Sequence, residues 1–206
     1  PQQQVLRELL EIGATALACK PTELEQTLDK LNSPPDLVIT DSQVFAIVEK
    51  LTPPGTRLTS FSVLMARHKG DIDEFRRGAK ALLALPPNAR VLIAEACSHI
   101  PQNEDIGRVK LPRLLRKKLG EGLKIDVVGG NDFPEDLTGY DIVIHCGACM
   151  FNRRTVLSRV RRAKAQGVPI TNYGIAIAAL FAMLVGIWIW VFPETKGTCL
   201  NELDKC

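Results

Sequence analysis

A chain of 206 residues and 22.7 kDa has room for one large domain or two small ones. With 46% hydrophobic and 24% charged residues it can build a real core, so a disulfide framework is not required, and 6 Cys are too sparse to make one. The thiols instead point to a reducing compartment and to metal or redox use; the net charge is +3, and no nucleic-acid partner is expected.

Residues 4–12, QVLRELLEI, have helical apolar spacing, and Gly13 stops the helix. The apolar run ATALACK then reads as a strand, with Cys19 in the core. PTELEQTLDKLN opens on Pro21 and carries Glu in its first turn, a good helix start. LVIT at 37–40 reads as a buried strand, and Asp41 or Ser42 can cap the helix SQVFAIVEKL. RLTSFSVLM reads as strand passing into helix. Helices alternating with short β-branched strands imply a small parallel sheet.

GDIDEFRRGAKALLALP, 70–86, reads as a helix that LPPNAR breaks, and a second module begins there. Its strands are RVLIAEA (90–96), KIDVV (124–128), YDIVIH (140–145) and VPITN (168–172). Its helices are RLLRKKLG and a segment from Asn152 to Gly167. The expected fold class is α/β: two small parallel-sheet modules with flanking helices, plus a hydrophobic C-terminal helix. The boundaries fall at 1–67, 68–87 (connecting helix and linker), 88–180 and 181–206 (hydrophobic tail).

The chemistry gathers at two strand ends. Strand 90–96 runs directly into Cys97, with His99 two residues on, and strand 140–145 ends in His145 and runs into Cys146 of HCGAC. Ligands of an open parallel sheet collect outside the carboxyl ends of its strands. Cys97, Cys146 and Cys149 can therefore converge although distant in sequence. Asn152 can cap the next helix, whose first N–H groups would favour thiolates nearby. Three thiolates with histidines at hand suit zinc or an iron–sulfur cluster. A Cys-x-x-Cys alone would equally serve thioredoxin-like exchange, and strand-end thiols also pack as small hydrophobes.

The basic charge is concentrated beside these residues. Segments 106–120 and 152–167 each hold six Lys or Arg and no acid, which leaves 14 basic against 23 acidic residues elsewhere.

RVLIAEACSHIPQNEDIGRVKLPR, GNDFPEDLTGYDIVIHCGACMFNRR and GVPITNYGIAIA together resemble the carboxyl-terminal region of the FeFe-hydrogenase maturation GTPase family, HydF. PPDLVITDSQVF and LTSFSVLMARHKGD resemble the family's central region. The resemblance implies a dimerisation domain at 1–67 and a cluster-binding domain at 88–180. It further implies a 4Fe-4S cluster on Cys97, Cys146 and Cys149, with an exchangeable fourth position that His99 matches. His145 matches the family's second histidine. The implied task is to hold the diiron precursor and deliver it to apo FeFe-hydrogenase in the cytoplasm. The implied partners are the radical-SAM maturases HydE and HydG and a second copy of the chain. That precursor is anionic, so Arg153, Arg154, Arg108 and Lys110 are candidates to hold it or to dock acidic partner surfaces; otherwise they form solvated helix faces.

Two departures stand out. Nothing here matches the phosphate-cradling G-x-x-x-x-G-K-[ST], so GTP would bind only through a domain upstream of Pro1, and a chain opening on Pro1 rather than methionine is expected of a fragment or processed product. Residues 174–192 form an uncharged run that would span about 28 Å as a helix, close to a membrane's hydrocarbon thickness. VFPETKGTCLNEL resembles the end of the last membrane helix of sugar-porter transporters. The alternatives to a cluster scaffold are therefore a zinc-stabilised module, a protein anchored through 174–192, and a thiol–disulfide enzyme.

Overall fold

The computed structural model describes residues 2–41, 44–96, 106–148 and 151–185. The chain forms two compact units that meet in sequence at Leu64–Met65. In the first, helix α1 (Gln2–Glu11) ends where Gly13 adopts a φ of 74°, the left-handed conformation that closes helices. The segment 14–20 that follows is not a strand. It lies in neither sheet, and without a ladder partner or an opposing core its side chains stay in water. Leu17 is 65% exposed, and Cys19 is exposed rather than part of the core.

A 3-10 turn (Pro21–Glu23), tied by Lys20 N–H donating to Glu23 Oε2 at 3.1 Å, leads into α2 (Leu24–Asp29). Strands β1 (Leu37–Thr40) and β2 (Arg57–Ser60) pair in parallel from Leu37↔Arg57 to Thr40↔Ser60, with α3 (Phe45–Leu51) as the crossover. β2 passes directly into α4 (Phe61–Lys69), where Ser60 Oγ accepts from Val63 N–H at 3.3 Å. Leu6, Leu10, Ile12, Leu17 and Ile47 leave this unit with substantial exposed apolar surface.

The second unit takes in the end of α4 and then α5 (Ile72–Leu83), which is capped by Asp71, whose Oδ1 accepts from the N–H groups of Asp73 and Glu74 at 3.1 Å. α5 packs on the last strand and the last helix of this unit. The strands are β3 (Arg90–Ala94), β4 (Lys124–Val128), β5 (Ile142–His145) and β6 (Ile170–Asn172), all parallel, in the order β4-β3-β5-β6. A π-helical turn (Ile106–Lys110) runs into α6 (Leu111–Leu119), which connects β3 to β4, and α7 (Arg153–Ala165) connects β5 to β6.

Alternation along the strands sorts the two faces. Val91, Ile93, Ile142 and Ile144 join Leu82 of α5, Leu111 and Leu115 of α6, and Ala176 and Leu180 of α8 (Tyr173–Val185) in one buried core. Each fully buried Val, Leu or Ile side chain among these contributes about 1.5–3 kcal/mol. The opposite face, carrying Leu92, Ala94, Val143 and His145, is covered by α7 through Val156, Arg159, Val160 and Ala163. α8 starts on Asn172, whose Oδ1 accepts from Ile175 N–H at 2.9 Å, and its first turns are core. Among the described residues no helix is long and apolar enough to cross a membrane. The part of 174–192 beyond Val185 lies outside the described residues.

Candidate metal site

The strand order makes one crevice special. From β3 the chain moves outward to β4, then returns to the other side of β3 for β5, so the sheet reverses its winding between β3 and β5. The carboxyl ends of such a neighbouring pair form the crevice where open parallel sheets take ligands. β3 and β5 are in register up to Ala94↔His145, and Cys146 N–H extends the ladder by donating to Ala94 O at 2.8 Å. Cys146 therefore stands at the mouth of the crevice, one residue past the strand.

Its sulfur is held by backbone. Sγ accepts from Ala96 N–H at 3.0 Å and from Ala148 N–H at 3.4 Å. The first donor comes from the β3 end and the second from the Cys-x-x-Cys loop, so one atom ties the two strand ends together. N–H groups aimed at sulfur favour negative charge there. Ala148 has a φ of 53°, left-handed for a residue with a side chain, and is 2% exposed. Such a conformation costs about 1–2 kcal/mol and persists where surroundings impose it.

His145, 1% exposed, has both ring nitrogens engaged. Nε2 lies 3.0 Å from Arg159 Nη1, and because a guanidinium only donates, Nε2 accepts and the proton sits on Nδ1. Nδ1–H then donates to Cys146 O at 2.8 Å. Burial, opposed by that carbonyl and reinforced by the Arg159 charge, pushes the His145 pKa down to about 4, so the ring is neutral. Arg159 is itself buried, donates to Gly130 O, and lies between the rings of Phe133 (4.7 Å) and Phe151 (4.5 Å).

The loop is also clamped from α4. Lys69 Nζ donates to Ala148 O at 3.0 Å and to Phe151 O at 3.1 Å, bracketing residues 149 and 150. Asn152 caps α7 by accepting from Thr155 N–H at 2.9 Å. Cys97, His99 and Cys149 lie outside the described residues, and among the described residues no group of three His, Cys, Asp or Glu side chains gathers to hold a metal ion.

The four basic candidates are spread around this site rather than gathered in it. Arg153 and Arg154 are exposed on the first turn of α7. Arg108 Nε pairs with Glu95 Oε2 at 3.1 Å, and Lys110 is exposed at the end of the π-helical turn. The basic residues that do bond the neighbours of Cys146, Lys69 on Ala148 O and Arg159 on His145 Nε2, are not among those singled out above. Arg159 carried a readable signal: it falls on the buried stripe Val156, Arg159, Val160, Ala163, where a charge is out of place on a helix. Lys69 gave none, because its partners are carbonyls of a distant loop.

Two protein-family models match the chain. The hydrogen maturase F tetramerization domain matches residues 73–186, more than half the sequence, and the hydrogen maturase F dimerization domain matches residues 1–70. The chain belongs to the hydrogen maturase F family. Both matched modules are self-association domains of a hydrogenase maturation protein, and no curated protein matches the chain. The exposed leucines and isoleucines of the first unit lie within the match to the HydF dimerization domain, as apolar side chains of a self-associating surface would.

Proposed function

We propose that this HydF-family chain is the self-associating part of a maturation scaffold that holds a 4Fe-4S cluster on Cys97, Cys146 and Cys149. His99 would take the exchangeable fourth position, and the diiron precursor is the cargo delivered to apo-hydrogenase. The observation that carries the reading is the setting of Cys146 in the β3/β5 crevice, its sulfur accepting two backbone N–H groups from the segments leading to Cys97 and Cys149. A donor set of thiolates suits iron–sulfur or zinc chemistry. Three protein ligands leave one iron open, which suits accepting and releasing cargo. His145, with both nitrogens engaged, serves by orienting the Cys146 carbonyl. The exposed Arg153, Arg154 and Lys110, with Arg108, supply positive charge for the anionic precursor or for acidic surfaces of HydE, HydG and the hydrogenase.

The test is anaerobic reconstitution with iron and sulfide, with Cys97→Ala, Cys146→Ala and Cys149→Ala beside the parent. About four irons per chain and visible absorption, lost in each variant, are expected. A colourless protein that keeps one zinc per chain would overturn the reading in favour of a structural zinc site.

A further inference from the structure

Arg159 spends both edges and both faces of its guanidinium on segments that the sheet itself does not join. Nη1 donates to His145 Nε2 at 3.0 Å, and Nη2 donates to Gly130 O. The ring of Phe133 lies 4.7 Å from the guanidinium carbon and that of Phe151 lies 4.5 Å from it. Gly130 and Phe133 follow β4, whereas His145 ends β5 and Phe151 comes after the Cys-x-x-Cys loop. β4 and β5 stand on opposite sides of β3, so no ladder bond can run between the segments that leave them. Arg159, 6% exposed on α7, bridges the two.

Its contacts with His145 and Phe151 grip the Cys-x-x-Cys loop at its entry and at its exit. At the entry the direction of each bond is fixed. A guanidinium only donates, so Nε2 accepts and the ring presents Nδ1–H to Cys146 O, 2.8 Å away. Holding that carbonyl orients the peptide after it. Two residues on, Ala148, at a φ of 53°, turns its N–H back to Cys146 Sγ at 3.4 Å.

We propose that Arg159 is a positioning residue of the Cys-x-x-Cys loop. Acting through His145, it sets the Cys146 carbonyl, and with it the turn at Ala148, against the segment after β4. It acts on the loop and not as a ligand. That the loop so held carries cluster ligands rests on the function proposed above; the contacts that hold it do not. The competing role is a brace that only ties Gly130 and Phe133 to α7 and leaves the loop indifferent to Arg159. Lysine cannot take over the positioning, because it lacks both the fork and the plane that the rings enclose.

The test uses the full chain, reduced, metal-free and isotope-labelled, at constant pH. NMR reads amide exchange at Ala148 and the ring Nδ1–H resonance of His145, which is identified by its absence from His145→Gln. Arg159→Met should lose the ring resonance and exchange Ala148 about tenfold faster, the effect of losing a hydrogen bond to a charged group. Arg159→Lys should behave like Met. Adding His145→Gln to Arg159→Met should change the Ala148 rate by less than about twofold, since both act along one path. Arg162→Met, which removes a donor to Phe133 O and Pro134 O, should leave both signals as in the parent. An Ala148 rate unchanged in Arg159→Met overturns the proposal and marks a brace. Full restoration by lysine, or effects that multiply in the double variant, overturn it as well. If Arg159→Met loses the parent's circular dichroism, Arg159→Gln is read in its place.

In the reconstituted protein, iron loss to an excess of chelator should be about tenfold faster in Arg159→Met, as when the support of a ligand is removed. Equal iron loss beside faster Ala148 exchange would overturn the extension to the cluster. A parent that takes up no cluster would overturn the proposed function, while the exchange result still decides Arg159.

Discussion

Replacing Gly78 by alanine tests the packing of α5 on the sheet, and its sign separates two physical effects. In a helix interior with free space, Gly→Ala stabilises by about 1 kcal/mol, because alanine loses less backbone entropy. Gly78 has no such space. A Cβ there would lie 2.0 Å from Ile170 O, 2.4 Å from Ile170 C and 2.9 Å from Thr171 N. Ordinary van der Waals contact starts at 3.4 Å, so the shortfall is about 1.4 Å, and the obstructing atoms are backbone of β6 that cannot rotate away. The helix must lift, carrying Phe75, Ala79 and Leu82, which are 2%, 0% and 0% exposed. Overpacking of this kind costs about 1–3 kcal/mol, and the upper end applies when a whole element moves. Offset by the gain in propensity, the net loss is about 2 kcal/mol. For a unit of this size that lowers the unfolding midpoint by about 8 °C. Thermal unfolding by circular dichroism, with urea titration to check that m is unchanged, reads the effect. An alanine variant as stable as the parent, or more so, would refute the close approach of α5 to β6.

Three further outcomes follow from the site. Ala148→Gly should raise stability by about 0.5–1 kcal/mol, since relief of the left-handed strain exceeds glycine's entropic cost, whereas Ala148→Val should lower it; urea midpoints check both. His145 is held neutral with its pKa at about 4, below the usual 6.5, so the unfolded chain binds a proton that the folded chain refuses. Its stabilisation is therefore full above about pH 6.5 and lost as pH falls to about 4, about 3 kcal/mol in all, and metal-free His145→Gln should show a flatter stability profile across that window. Lys69→Met removes two charge-assisted hydrogen bonds to Ala148 and Phe151, each worth about 1.5–3 kcal/mol. Hydrogen exchange across residues 146–152 should speed up in that variant while β3 and β5 stay protected, and unchanged exchange would count against the clamp.

Much of this protein was legible in its sequence because the signals are local. LVIT, RVLIA and IVIH are short runs of β-branched and aliphatic residues with turn chemistry around them, and each forms a buried or half-buried strand. Asn152 caps its helix as expected, because a side-chain oxygen needs to reach only three residues along. The placement of Cys146 just past a strand end was equally readable. ATALACK misled because apolar composition states a capacity to be buried, and burial also needs a partner surface that no local pattern supplies.

Tertiary structure decided the rest. Only the order β4-β3-β5-β6 brings the ends of β3 and β5 together as the reversal point of the sheet, so that Ala96 N–H meets a sulfur 50 residues later. The same order lays α7 over His145, burying Arg159 against it, and sets Lys69 on carbonyls some 80 residues away. The kinds of side chain available are local facts of the sequence. Which of them become desolvated together, and so which charges must answer one another, depends on how distant segments pack.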